Sequence, residues 1–334
     1  MGEKTMTSKK PFNLKDFFYE YSIYIILGIM VLIMAIIKFE NFATLDNLMN
    51  IIRQMTTIGI MALGVTFCII TTGTDLSGGS VIAMCSVISA LMAQRVTRGM
   101  GGLPTALVYV MALIVPILAG ALSGLVNGLF ISYGNVPPFI ATLGMMNVAR
   151  GAAMLISDSK PVSNDLPESF LFIGRGKIFG IIPFPAIVFI ICAVIAYVLL
   201  HRTKFGTYVY AIGGNRNAAV VSGINVKPIL TSVYMLCGAF IGVASIVITA
   251  RNTSGQPSMG VGYDMDAITC AIIGGASFNG GIGTIAGTIV GAFIMFVLIN
   301  SMNMLQFNPN WQMIIKGAII ILAVLMDEMK NKRA

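Results

Sequence analysis

The sequence predicts an all-α, polytopic membrane protein, and three observations carry that reading. Of the 334 residues, 57% are hydrophobic and only 10% charged, with a mean hydropathy of +0.88, which is the composition of a membrane-embedded helical bundle. The apolar residues come in long runs, most of them near the roughly 17 to 25 residues that a bilayer crossing requires. The basic residues stand at the ends of those runs, where Lys and Arg set orientation. The net charge of +8 is therefore read as topological anchoring. Nucleic-acid binding is excluded, because the charges form no patch interleaved with aromatic residues.

Taken in order, residues 1–21 are polar and basic, with Lys4, Lys9, Lys10 and Lys15, and are expected to be a cytoplasmic segment. The run that follows lacks the small-residue cleavage site of a signal peptide, so the first span is expected to be a retained anchor. Apolar runs then fall at about 22 to 37, 51 to 72, 80 to 94, 105 to 131, 139 to 156, 183 to 200, 229 to 250, 265 to 279, 283 to 300 and 311 to 326, each read as a span. About ten helices result, in a membrane domain over residues 22–326 with a short cytoplasmic tail at 327–334. An even count places both termini and the basic central stretch on the cytoplasmic side. Arg95 and Arg98 depart from that pattern, on the expected outer side.

The central stretch, residues 201–228, carries His201, Arg202, Lys204, Arg216 and Lys227. Within it a short helix is expected to start near Asn215, run through Ala218 and Ala219, and stop at Gly223. Residues 157–182 form the largest expected outer loop, rich in charge, proline and glycine, and loops of that size in a compact body are often functional. Cys68, Cys85, Cys192, Cys237 and Cys270 all lie in apolar runs without metal-ligand or redox spacing and are read as small buried hydrophobes.

Glycines recur every four residues in two spans, Gly120, Gly124 and Gly128 in the fourth and Gly283, Gly287 and Gly291 in the ninth. That spacing makes a face for close helix approach. Gly73-Thr-Asp75 and Gly262-Tyr-Asp264 echo one another ahead of later spans, expected on opposite faces, as an inverted repeat would leave them. Asp75 is read first as a helix cap in a tight turn with Leu76 and Ser77, and second as a gating or pathway residue. Arg150 and Lys316 either snorkel or line the pathway. Gly274 to Thr284, which includes Asn279, is glycine-rich but lacks the GxxxxGK[ST] pattern and is read as a turn or broken helix. Enzyme readings fail on inventory: His201 is the sole histidine, and Asp75 and Asp264 are expected at opposite surfaces, which removes an intramembrane aspartate pair.

Four segments resemble one family in its order: GTDLSGG at Gly73 to Gly79, FGTYVYAIGGNRNAAVVSGINV within the central stretch, DAITCAIIGGASFNGGIGT at Asp266 to Thr284, and NPNWQMIIKGAIIILAV at Asn308 to Val324. They are similar to the permease subunits of sugar ABC importers of the ribose and galactose/methyl-galactoside type. The resemblance implies a bacterial cell-membrane protein without catalytic, cofactor or metal residues. It implies three kinds of partner: a cytoplasmic ATP-binding subunit, an extracytoplasmic sugar-binding protein, and a second permease copy. Asn215, Arg216, Asn217, Ala218, Ala219 and Gly223 match the family's coupling region. Asp75, Ser77, Arg150, Asn279 and Lys316 remain candidates for the translocation pathway or gate. The C-terminal segment favours a hexose over ribose. The alternative is a stand-alone secondary transporter or channel for a small polar solute.

Overall fold

The computed structural model describes residues 22–99 and 102–331; the expected N-terminal segment 1–21 and residues 332–334 lie outside the described residues. The helices are α1 (Ser22–Ile37), α2 (Phe39–Phe42), α3 (Leu45–Ile70), α4 (Gly78–Arg98), α5 (Thr105–Ser132), α6 (Pro138–Ile156) and α7 (Glu168–Arg175). After a two-stranded antiparallel hairpin, β1 (Lys177–Ile178) with β2 (Ile182–Pro183), come α8 (Phe184–His201), α9 (Lys204–Gly214), α10 (Arg216–Val221) and α11 (Val226–Asn252). The chain closes with α12 (Tyr263–Ile273), α13 (Ile285–Met304) and α14 (Pro309–Asn331). Helix α14 thus runs past the expected boundary at residue 326.

Every expected span contains a helix, but the count of about ten crossings is corrected. Among the described residues seven helices are long and apolar enough to cross a membrane: α3, α4, α5, α6, α8, α11 and α13. Helix α1 has 16 residues and α12 has 11, so at about 1.5 Å per residue they reach roughly 24 and 16 Å of a hydrocarbon core about 30 Å thick. Helix α14 is long enough, with Asn310, Gln312 and Lys316 in its first half.

Helices α3 and α11 form the centre, with 83% and 78% of their most apolar windows buried, whereas α5 and α6, at 22% and 17%, present most of their surface outward. Helix α5 approaches α11 at backbone distance. A Cβ on Gly120, Gly124 or Gly128 would run into the carbonyls of Gly238 and Tyr234 and the backbone of Thr231, respectively. Gly287 and Gly291 stand in the same way against the carbonyls of Gly274 and Cys270 at the end of α12. Gly283 is not on that helix face: Thr284 caps α13, accepting from the Gly287 N–H, so Gly283 precedes the helix and packs on Ile70.

Contacts sort the helix termini into two ends of the bundle. One end carries the basic stretch; Val226 at the start of α11, Ile70 at the end of α3 and Gly281 gather there. At the far end residues 157–183 are docked. Val162 and Gly255 exchange both backbone hydrogen bonds at 2.8 and 2.9 Å, Arg98 pairs with Asp165 at 2.7 Å, and Arg175 Nε donates to the Arg251 carbonyl at 2.9 Å. The basic residue Arg98 is thereby matched by an acid of the same loop.

Candidate functional site

Two helices of the bundle begin inside it. After α3 the chain turns back through residues 71–77 before α4 starts, and after α11 it turns back through residues 253–262 before α12 starts. Helix α4 then runs to the far end and α12 toward the basic end, so the two N-termini meet head to head. Gly79 and Gly260 touch there, and a Cβ on either would overlap the other's carbonyl oxygen; a Cβ on Gly79 would also meet the Asp264 carboxylate. The expectation that Gly73-Thr-Asp75 and Gly262-Tyr-Asp264 lie at opposite faces is therefore corrected. A hydropathy pattern reads a polar break as a surface loop, but both breaks fold back into the body, where protein groups satisfy their backbone. The same correction removes the topological argument against an aspartate pair.

Around the crossing, Asp75 is 1% exposed. Its Oδ1 accepts from the Ser77 backbone N–H at 2.9 Å and from Ser77 Oγ at 2.5 Å. Asn127 Nδ2 on α5 donates to Ser77 Oγ at 3.2 Å, and Cys237 Sγ on α11 donates to Asp75 Oδ2 at 3.6 Å. Asp75 and Ser77 thus form a turn-closing unit ahead of α4 and tie it to two neighbouring helices.

Arg150, on α6, reaches into the crossing. Its Nη1 donates to the carbonyls of Pro257 and Met259 at 2.6 and 2.7 Å, and its Nη2 to the Gly79 carbonyl at 3.2 Å. One side chain therefore holds both sides of the crossing, and the five-donor fork of arginine suits that task. Lys316 on α14 pairs with Asp266 on α12 at 2.8 Å, bracing the half-length helix from outside. Asn279 is not at the crossing. It sits in the turn between α12 and α13, its N–H bonded to Ser277 Oγ at 3.2 Å, next to Gly280, which packs against Gly213 at the basic end.

At the basic end Asn215 ends α9 and caps α10, its Oδ1 accepting from the Ala218 N–H at 3.0 Å. Gly223 follows with φ of 83°, the left-handed conformation that terminates a helix. Arg216, Asn217, Ala218, Val220 and Val221 are exposed, and Val221 is 89% so. Ala219 faces the other way, 3% exposed against Ile212, Val226 and Leu230. Among the coupling-region residues Ala219 thus turns inward, and its methyl seats α10 on its own chain. Helix α9 has no counterpart in the sequence reading. It packs Phe205 on Phe67 with ring centroids 6.1 Å apart and donates the Tyr210 hydroxyl to the Gly283 carbonyl at 2.6 Å. Burial pushes that hydroxyl's pKa up, which keeps it a donor. A cavity of about 270 Å³ opens beneath Arg216, lined also by Thr71, Thr72, Gly73, Asn135 and Tyr234.

A bundle whose long helices cradle two inward-folded segments, with a polar helix pair at one end and a docked loop platform at the other, has the architecture of a transport permease. The chain belongs to the family described as branched-chain amino acid transport system / permease component, whose model matches residues 47–324. It is 38% identical to the ribose import permease protein RbsC of Escherichia coli (strain K12), over 99% of this chain and 100% of that one. It is 37% identical to RbsC of Bacillus subtilis (strain 168), over 98% and 99%. To the galactose/methyl galactoside import permease protein MglC of E. coli K12 it is 37% identical, over 94% and 95%. No solved structure matches it.

Proposed function

We propose that this chain is the membrane permease subunit of a binding-protein-dependent importer for a monosaccharide. The observation that carries the reading is identity of 37 to 38% sustained over nearly the whole length of both ribose and galactoside import permeases. The two branches match to nearly the same extent, and the segment Asn308 to Val324 favours a hexose. ATP is handled by a separate subunit docked on the exposed face of α10. The basic end faces the cytoplasm together with both termini, and the far-end platform over residues 157–183 receives a sugar-binding protein. The outward surfaces of α5 and α6 leave apolar area for lipid and for a second permease copy. In the transport cycle, movement of α9 and α10 alternates the access of the crossing to either side.

The stand-alone transporter gains one observation, the ionisable groups gathered near the crossing: Asp75, Asp264, Asp266, Arg150 and Lys316. Four of these are engaged, since Arg150 is spent on backbone carbonyls, Asp75 on Ser77, and Asp266 on Lys316, which supports structure over ion relay. Reconstitution decides. Proteoliposomes with the ATPase and binding protein should take up labelled ribose or galactose only with ATP on the α10 side; uptake driven by an ion gradient without ATP would sink the proposal.

A further inference from the structure

The joint between α9 and α10 is pressed against two other stretches of backbone at once. The Gly281 N–H donates to the Ile70 carbonyl at 2.9 Å, and Gly213 lies on that hydrogen bond. A Cβ on Gly213 would overlap the Ile70 carbonyl oxygen and stand 2.5 Å from the Gly281 nitrogen. Gly280 packs in turn on the Gly213 carbonyl and the Thr72 methyl, and Gly281 on Gly214. Ile70 is the last residue of α3, so the chain beyond it is the inward segment 71–77 that leads to Asp75 and α4. Gly281 lies in the turn that leaves α12. One point on the α9–α10 joint therefore touches both discontinuous elements, each at the end away from the crossing at Gly79 and Gly260.

The joint is also stiff. Asn215 donates its N–H to the Ala211 carbonyl at 3.1 Å and accepts from Ala218, while Ala219 is locked against Ile212, Val226 and Leu230. Helix α10 has six residues and is fastened at both ends, so it carries Gly213 with it when it moves. The neighbouring glycine is a contrast, because a Cβ on Gly214 would meet nothing within 4 Å. Of the pair Gly213-Gly214, packing demands only the first.

We propose that Gly213 is the positioning residue through which displacement of α10 reaches both inward segments together, so that the two sides of the crossing move as one. This rests on the reading of α10 as the ATPase docking site. The test uses the full transporter, permease with ATPase and binding protein, in proteoliposomes, and reads sugar taken up per ATP hydrolysed. Gly213→Ala inserts a methyl into a three-backbone contact with nowhere to go and should lower that ratio on the order of tenfold while the ATPase still co-purifies and hydrolyses. Gly214→Ala should keep the ratio within about twofold, because its added methyl meets nothing within 4 Å. A normal ratio in Gly213→Ala, or an equal loss in Gly214→Ala, overturns the proposal. Should Gly213→Ala fail to fold, Tyr210→Phe takes its place, since it removes only the hydroxyl that holds α9 to Gly283. A severalfold lower ratio with unchanged ATPase recovery supports the linkage, and an unchanged ratio overturns it. If the unaltered permease does not retain the ATPase, the docking reading itself fails, and that outcome is separable from every other.

Discussion

Replacing Arg150 by Ala tests what holds the crossing together. The side chain gives two short bonds, to Pro257 and Met259, and a longer one to Gly79. Hydrogen bonds to a charged group contribute roughly 1.5 to 3 kcal/mol each. Counting the two short ones gives about 3 to 6 kcal/mol, and discounting for an arginine that is only part-buried brings the expectation to about 3 kcal/mol. Arg150→Lys keeps the charge but loses the planar fork that reaches both elements, so it should recover part of the loss only. Thermal unfolding of the purified chain in detergent reads the effect, with a fall in midpoint on the order of 5 °C or more for Ala and a smaller fall for Lys. Uptake should fall with it, because Gly79 and Gly260 are no longer held in contact. An Arg150→Ala protein with an unchanged midpoint and unchanged uptake would refute the reasoning, and the three bonds would then be incidental to the fold.

Three further outcomes are expected. Cysteines introduced at Ser169 and Phe179, both exposed at the far end, should react with an impermeant thiol reagent on intact cells, whereas Asn217→Cys should not; the five native cysteines are buried and give little background. Labelling of Asn217→Cys would reverse the orientation. Val221→Asp places a charge on the exposed apolar tip of α10 and should cut co-purification of the ATPase at least tenfold with folding intact, since charge at an interface centre is disfavoured; full recovery of the complex would remove α10 from the docking surface. Gly287→Leu drives a side chain into the Gly274 carbonyl, which should cost at least the roughly 1 to 3 kcal/mol of overpacking and lower the yield of folded protein in size-exclusion chromatography; a normal elution profile and normal uptake would show that α13 can stand off from α12.

Helix positions were legible because hydropathy is a local property: each apolar run contains one of the helices. How many of them cross was not, because α12 and α4 differ in length and origin only through where the chain folds back, and that depends on contacts such as Gly79 with Gly260. Asn215 was readable as a cap from its residue type and the small residues after it. The inward face of Ala219 was not, since six residues span too few turns for a periodic pattern. Helix α9 escaped notice because Gly206, Gly213 and Gly214 with the β-branched Thr207 and Val209 weaken helix propensity; packing on Phe67 and Leu200 overrides it. The role of Arg150 was hidden for a different reason. Its acceptors are main-chain carbonyls, which leave no trace in the identities of residues 79, 257 and 259.

Helices that start head to head inside a protein bring two macrodipoles together at their positive poles, each equivalent to roughly half an elementary charge. Without compensation α4 and α12 would repel one another where Gly79 and Gly260 touch. Asp75 just ahead of α4 accepts from the Ser77 N–H, and Asp264 stands in the first turn of α12, so each helix start meets carboxyl oxygens, while the carbonyls of residues 257 and 259 are turned toward Arg150. Asp75 and Asp264 are thus placed by the peptide backbone at the two helix starts, while Asp266 is matched by Lys316.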